Sequence, residues 1–240
     1  MGYYGVSIMT SIKSTEKTIQ AIKRALSPAR MSTYESAFKA GADIHAPLDL
    51  YMWNAHLSAA FFIPLHFCEV VVRNAIAEAL ETQYGERWPW SSGFERSLPD
   101  PVNGYSQRKD LFSARKNQRM TKKVIPELKF VFWQRLLTRN NDCRLWNKHL
   151  NAIFPHIDPS WEINQRRQFI YERLERIRKL RNRIAHHEPI FLRELDTEYQ
   201  IITQLIHLRS GITAEWMALH QQVQELIQHS PFSTRYFIKQ

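Results

Sequence analysis

The segment "NQRRQFIYERLERIRKLRNRIAHHEP", residues 164–189, decides the fold class. Its apolar residues recur at every third or fourth position, which is the spacing of one face of an α-helix. Pro189 disfavours the helical conformation at Glu188, so the helix is predicted to end there with His186 and His187 on its last turn. The buried stripe is predicted to consist of Phe169, Ile170, Leu174, Ile177, Leu180 and Ile184.

The rest of the chain also favours helices. Only 7 of the 240 residues are glycine, and no segment shows the sustained alternation of a strand. A long helix is predicted from about residue 48 to 84, kinked or divided at Pro64, and others at 106–123, 192–209 and 213–229. The fold class is therefore predicted to be all-α.

The first 31 residues are predicted to form an N-terminal helical arm, and residues 32–240 the main helical domain. Pro28 is expected to end the arm helix, and a second short helix is expected to begin at Ser32 or Thr33 as N-cap. A loop is predicted over 86–105 from its Pro, Gly and Ser content.

The charge of the chain is strongly positive. Lys and Arg number 33 against 23 Asp and Glu, which gives a formal net charge of +10 and a pI near 9.7. This balance favours a polyanionic partner, nucleic acid before an acidic membrane surface. The alternative is a basic but otherwise ordinary surface.

Several features favour the cytoplasm and a protein without a membrane span. Cys68 and Cys143 lack metal-type spacing, which favours a reducing compartment. The N-terminus lacks the charged start and apolar core of a secretion signal. The most apolar run, residues 57–72, contains Pro64, His66 and Glu69, so it is interpreted as a buried helix rather than a membrane span.

The residues that carry chemistry lie at the end of the 164–189 segment. A neutral imidazole such as that of His186 can take or give a proton at cellular pH. The guanidinium of Arg181 matches phosphate oxygens, and Asn182 can orient either group. Together they suit RNA cleavage without a metal ion, in which the 2′-hydroxyl attacks the adjacent phosphate.

Two other interpretations of this segment stay open. A histidine near a helix C-terminus also stabilises the helix dipole. A metal site formed by His186, His187 and Glu188 is disfavoured, because adjacent histidines on a helix point in different directions. We therefore expect no metal ion and no cofactor.

A second polar group lies in the apolar segment "FCEVVVRNAIAEAL", residues 67–80. Glu69 and Arg73 are four residues apart, with Asn74 beside them. Buried charges are costly unless they are paired. Either Glu69 and Arg73 form a salt bridge within their helix, or they face residues 181–187 and hold the polar side chains there.

At these residues the chain resembles a known family. The motif "LRNRIAHHEPIF", residues 180–191, resembles that of the HEPN superfamily, and the chain resembles the Abi-like (abortive infection) branch of bacterial proteins in particular. The supporting segments, in the order of the family, are "LYMWNAHLSAAFF" (50–62), "EVVVRNAI" (69–76), "LKFVFWQRLL" (128–137) and "LWNKHL" (145–150).

The resemblance implies an HEPN-like helical bundle, here with additional N- and C-terminal helices, that dimerises and brings two copies of the motif into one cleft. It also implies an RNA-directed role, commonly endoribonuclease activity, in phage defence or as a toxin. Carried over, the reacting pair is Arg181 and His186, positioned by Asn182. The supporting residues are His187, Glu69, Arg73 and Asn74.

The leading hypothesis is thus a cytoplasmic, metal-independent endoribonuclease that acts as a homodimer on RNA. An antitoxin protein or a small RNA is a candidate further partner. The alternatives are a non-catalytic RNA-binding protein and a protein-interaction module of a defence complex. Trp88, Trp90 and Trp133 are candidates to stack on bases, with core packing favoured for Trp133. The residues expected to contact the RNA backbone are Arg115, Lys116, Arg119, Arg178 and Arg183, with Arg166, Arg167, Arg173 and Arg176 beside them.

Overall fold

The computed structural model describes residues 15–230, which form twelve α-helices and contain no strand. The all-α prediction is confirmed for this part of the chain. These residues fall into two compact units, residues 15–56 with 229–230, and residues 57–228. This boundary lies after His56, whereas the sequence analysis places one after residue 31, and that division stays a prediction.

The first unit contains α1, Glu16–Leu26, and α2, Pro28–Glu35. The Ser27 hydroxyl caps α2 by accepting a hydrogen bond from the backbone N–H of Arg30. The expectation that α2 begins at Ser32 or Thr33 is wrong. Pro28 ends α1 but also begins α2, because its fixed φ angle and missing N–H suit the first helical position.

The third helix, α3, is continuous over the 39 residues Ala46–Tyr84 and contains Pro64. Gly85 ends it at φ +83°, a conformation that glycine adopts without steric cost. In the second unit one stripe of α3 is buried. This stripe consists of Leu57, Phe61, Leu65, Cys68, Val72, Ile76 and Leu80.

Residues 57–72 were interpreted as a buried helix, but only one side of this segment, the stripe named above, is buried. Phe62 and Ile63 on the same stretch are 68% and 40% exposed. Within residues 15–230, α3 is the one helix long and apolar enough to cross a membrane by length and composition, and 33% of its most apolar 18-residue window is buried inside the protein.

Short helices connect α3 to the rest of the second unit. The predicted loop over 86–105 contains a 3₁₀ turn at Trp88–Trp90 and α4, Ser92–Ser97. The helix predicted over 106–123 is interrupted at residues 116–120. The elements that follow are α5 (Gln107–Arg115), α6 (Thr121–Val124), a 3₁₀ turn (Ile125–Glu127), α7 (Phe130–Leu136), a 3₁₀ turn (Arg139–Asn141), a π-helical turn (Asp142–Trp146) and α8 (Asn147–Ile153).

A cluster of aromatic rings holds these short helices together. Trp88 makes edge-to-face contacts with Phe94 and Trp133, at centroid distances of 5.4 and 6.2 Å. Phe132 contacts both Phe94 and Trp133. Edge-to-face pairs add to the stability gained from burial alone. Because Trp88 and Trp133 are fully buried, the expectation that Trp88 stacks on a base is wrong, whereas core packing of Trp133 is confirmed.

The helix predicted from residue 164 is observed as α9, Ile163–Ala185. A capping box begins it, in which Glu162 accepts from the backbone N–H of Gln165 and the Gln165 side chain accepts from that of Glu162. Helix α9 packs against α7, α8 and α10. Five of its six predicted stripe residues are buried, whereas Phe169 lies at the rim beside Trp161.

Three helices complete the described chain, namely α10 (Leu195–Arg209), α11 (Gly211–Ala218) and α12 (Val223–Gln228). The helix predicted over 213–229 is thus two helices. Gly211 is the first residue of α11, and the Ser210 hydroxyl caps this helix by accepting a hydrogen bond from the backbone N–H of Thr213.

Candidate functional site

The C-terminal end of α9 is built by a local hydrogen-bond motif. The helix ends at Ala185, so His186 is the C-cap and His187 lies beyond it with φ +55°. The N–H of His187 donates to the carbonyl of Ile184, at 3.0 Å, and that of Glu188 donates to Arg183, at 2.8 Å. These two bonds form a Schellman motif, in which His187 occupies the left-handed position that glycine usually takes.

This geometry corrects one expectation of the sequence analysis. His186 and His187 are not on the last helical turn but in the turn that follows it. A left-handed backbone at a residue with a β-carbon is strained, and such residues concentrate at functional sites. The two imidazoles leave the helix end from different backbone conformations, and both residues are exposed.

Arg183 fixes the chain after this turn. Its guanidinium donates two hydrogen bonds to the carbonyl oxygen of Pro189, at 3.1 and 2.8 Å. It also lies 3.4 Å from the Glu188 carboxylate. Arg183 therefore has a local structural role, and its expected contact with RNA stays a prediction.

A cleft of about 260 Å³ lies between α3 and the C-terminal part of α9. We call it the α3–α9 cleft. Its nine lining residues are Phe62, Leu65, His66, Glu69, Val70 and Arg73 from α3, and Arg181, Ile184 and Ala185 from α9. The structure thus brings the two polar groups together, as in the alternative in which Glu69 and Arg73 face residues 181–187.

The charged side chains of the α3–α9 cleft are not neutralised by one another. Glu69, Arg73 and Arg181 form no ion pair within residues 15–230, so the alternative of a Glu69–Arg73 salt bridge within α3 is wrong. The Arg73 Nε is buried and has no hydrogen-bond partner there. Buried polar groups without partners are rare, and each calls for a ligand or a water molecule.

The thiol below this cleft does not take part in it. Cys68 lies on the buried stripe of α3 and is fully buried. Burial raises the pKa of its thiol, and the charge of the adjacent Glu69 raises it further. A thiol in this state is a poor nucleophile, so Cys68 has a packing role.

Four predicted residues lie outside the lining of the α3–α9 cleft as the structure describes it, namely His186, His187, Asn182 and Asn74. His186 follows the lining residue Ala185 and is exposed. Asn182 is half-buried one position after Arg181, and Asn74 is exposed one position after Arg73. The side chains of His186 and Arg181 were expected to meet in one cleft. Within the described residues, Arg181 lines the α3–α9 cleft and His186 does not.

The structure adds two residues that the sequence analysis missed. Phe62 and His66 lie on the cleft side of α3 with Glu69 and Arg73. Their spacings of four, three and four residues place all four within an arc of about 60° on one helix face. The signal was present in the sequence, because the spacing from Glu69 to Arg73 continues toward the N-terminus to His66 and Phe62.

Most arginines of α9 are used inside the protein. Arg166 and Arg167 are 7% and 8% exposed, so the expectation that they contact RNA is wrong. Arg166 donates to three neighbouring oxygens, and Arg167 pairs with Asp142 at 2.6 Å. The partly exposed arginines are also engaged, Arg173 with Gln204 and the Phe169 ring, Arg176 with Glu194 and Glu198, and Arg178 with Glu175.

The three residues near α5 that were expected to contact RNA differ in whether they are paired within the protein. Arg115 is paired with Glu95 and donates to the carbonyl of Pro89. Lys116 and Arg119, in the turn between α5 and α6, are exposed and form no ion pair with a described residue. The turn thus presents two positive charges to solvent.

No group of three or more His, Cys, Asp and Glu side chains that could hold a metal ion is found within residues 15–230. No protein-family model matches the chain, and neither a curated protein nor a solved structure is similar to it. The HEPN resemblance and its Abi-like branch therefore stay a prediction.

Proposed function

We propose that the chain is a metal-independent endoribonuclease of the HEPN type that cleaves RNA in phage defence or as a toxin. One observation carries the proposal. Arg181, the arginine of the motif, lines the α3–α9 cleft together with Glu69 and Arg73, and none of the three is used in an ion pair with a described residue. Two guanidinium groups with free donors form a receptor for a phosphodiester.

The chemistry follows from the residues of the motif. Arg181 binds the scissile phosphate and stabilises the charge that develops on its oxygens. His186 transfers a proton as general acid or base. Asn182 positions the pair, and His187 shapes the helix end. RNA supplies its own nucleophile, the 2′-hydroxyl, which DNA lacks.

The apolar half of the α3–α9 cleft suits an unpaired base. Leu65, Val70 and Ile184 line it, and the exposed ring of Phe62 stands at its edge. Every base has an aromatic face, so stacking on Phe62 would hold a nucleotide without selecting its sequence. A cationic group beside an apolar surface favours a single-stranded substrate over a duplex.

The proposed oligomer is a homodimer in the cytoplasm. Large apolar side chains are exposed in the second unit, where isolated chains rarely leave them uncovered. Four of them, on α3 and at α11, are Phe62, Ile212, Trp216 and Leu219, which are 68%, 82%, 54% and 81% exposed. A dimer would also allow His186 of one copy to reach the α3–α9 cleft of the other. An antitoxin protein or a small RNA is the proposed restraint on activity.

The test is cleavage of end-labelled single-stranded RNA in EDTA by the wild type, Arg181→Ala and His186→Ala. Lys179→Ala is the matched control, since Lys179 lies two residues from Arg181, is exposed and pairs with Glu175. We expect 2′,3′-cyclic phosphate ends from the wild type and the control, and a loss on the order of 100-fold for either site variant. Absence of cleavage by the wild type would overturn the proposal.

Two other functions would give different outcomes in the same assay. Tight RNA binding without cleavage by every variant would indicate a non-catalytic RNA-binding protein. A second function, a protein-interaction module, is favoured by the exposed apolar residues of α3 and α11. It would be indicated if no variant binds RNA and the exposed apolar surface is covered by another protein.

A further inference from the structure

The imidazole that lines the α3–α9 cleft is that of His66, not that of His186. His66 is exposed, one turn after Phe62 and one turn before Glu69 and Val70 on the same side of α3. Its ring contacts the edge of Phe67 at a centroid distance of 6.0 Å, and no hydrogen bond to another described residue fixes its nitrogens. Both nitrogens are therefore open to a ligand in the cleft.

RNA cleavage by the 2′-hydroxyl needs two proton transfers. As the 2′-oxygen forms its bond to phosphorus, its proton goes to a base. As the bond from phosphorus to the 5′-oxygen breaks, that oxygen takes a proton from an acid. The proposed function names one imidazole, His186, and leaves the second transfer without a residue.

We propose that His66 is the second proton-transfer group of this reaction, and this inference rests on the proposed function. A phosphate held by Arg73 and Arg181 would lie beside His66, because all three side chains line the same cleft. Each turnover then moves one proton from the 2′-hydroxyl to one imidazole and one proton from the other imidazole to the 5′-oxygen. A following proton exchange with water restores both groups.

The charged and titratable groups around His66 come from several helices. Glu69 and Arg73 face the cleft from α3, and Arg181 faces it from α9. His220, two residues past the end of α11, contacts Trp216 of α11, which contacts Phe67 beside His66. A pH–rate profile of the wild type does not by itself identify His66.

The experiment compares His66→Ala with His56→Ala, since His56 is also an exposed histidine of α3 but lies outside the cleft lining. Single-turnover cleavage in EDTA and RNA affinity are measured for both. We expect cleavage by His66→Ala to fall on the order of 100-fold with the Kd for RNA changed less than threefold, and His56→Ala to behave as the wild type. Added imidazole should restore part of the lost rate.

A modified substrate then shows which of the two proton transfers His66 performs. With sulfur in place of the leaving 5′-oxygen, the departing group needs no proton. If His66 is the acid, His66→Ala cleaves this substrate nearly as fast as the wild type. If His66 is the base, the loss persists. Both outcomes support the proposal.

Two results would overturn the role of His66. Unchanged cleavage by His66→Ala would do so, and so would a loss of rate matched by an equal loss of RNA affinity, which would make His66 a binding contact. If the wild type itself does not cleave RNA, the proposed function fails first. Circular dichroism of His66→Ala and His66→Gln checks that both variants are folded.

Discussion

Arg181 of α9 and Glu69 of α3 line the same cleft, and neither is neutralised by an ion pair with a described residue. Opposite charges that share a cleft without pairing are available to a third group. In the proposed reaction that group is a phosphodiester, which the guanidinium binds and the carboxylate repels. Glu69 then limits how tightly the cleft holds the phosphodiester and does not bind the substrate itself.

Replacing Glu69 separates binding from catalysis. In Glu69→Gln the negative charge that repels the phosphodiester is lost, so we expect tighter RNA binding, with the single-turnover rate changed by less than about threefold. Filter binding and single-turnover cleavage measure the two effects. Glu81→Gln, at an exposed site of the same helix, should change neither. Weaker binding by Glu69→Gln would contradict this role.

The left-handed backbone of His187 predicts an unusual ranking of substitutions. His187→Gly and His187→Ala both remove the side-chain contacts, but only glycine adopts φ +55° without strain. We therefore expect His187→Ala to be less stable than His187→Gly by about 1 kcal/mol. Urea unfolding of the two variants measures the difference. Equal stabilities, or a more stable alanine variant, would show that the turn relaxes out of this conformation.

RNA affinity is expected to depend on the exposed cations rather than on the paired ones. Replacing both Lys116 and Arg119 by Gln should reduce the magnitude of the slope of log K against log salt by about 1.4, since each phosphate contact of a single strand contributes about 0.7. Arg178→Gln is the control, because this guanidinium is occupied by Glu175 at 2.8 Å. The affinity of Arg178→Gln for RNA should differ little from that of the wild type at any salt concentration. The reverse ranking would place the RNA backbone along α9 instead.

Glu175 makes stability depend on pH. Burial alone would raise the pKa of its carboxyl, but hydrogen bonds from Gln134 and Arg178, and the charges of Arg178 and Lys179, outweigh burial and lower it from 4.5. Because the folded-state pKa lies below the unfolded-state value, the ionised carboxylate stabilises the fold above the unfolded-state pKa. That stabilisation is lost as the pH falls through the folded-state pKa.

We therefore expect the wild type to lose more stability than Glu175→Gln between pH 7 and pH 3. Thermal unfolding at a series of pH values measures the two profiles. Glu175 also joins α7 to α9 through Gln134, so the variant should already be less stable at pH 7. Parallel profiles for the two proteins would mean that Glu175 is not the group that titrates.

The helices could be predicted from apolar spacing, but their interactions could not. Spacing gives the face of a helix and predicts α9 within a few residues of its bounds. It does not give the partner of a charge, which depends on residues distant in sequence. Arg167 pairs with Asp142 of the π-helical turn, and Arg176 with the buried Glu198 of α10. For this reason the arginines of α9 were predicted to form a basic surface that contacts RNA, whereas several of them form ion pairs inside the protein.

Only part of the site could be predicted, because its contacts also join residues that are distant in sequence. Arg181, Glu69 and Arg73 were recognised from residue types and spacing, and the structure brings them together. His66 was passed over because the sequence around it is apolar, and a lone histidine there carries no signal until the facing helix is known. The position of His186 beyond the helix end depends on the Schellman motif. In this motif glycine, and rarely histidine, occupies the left-handed position that His187 takes here.

The most direct test of the central claim is to locate bound RNA on the protein. A single-stranded RNA with one 2′-deoxynucleotide at the mapped cleavage position binds but is not cut, and photo-crosslinking followed by mass spectrometry identifies the peptides it touches. The account predicts crosslinks to residues 62–73 of α3 and to residues 181–187, and their loss in Arg181→Ala. Crosslinks confined to other helices, unchanged by that substitution, would contradict it.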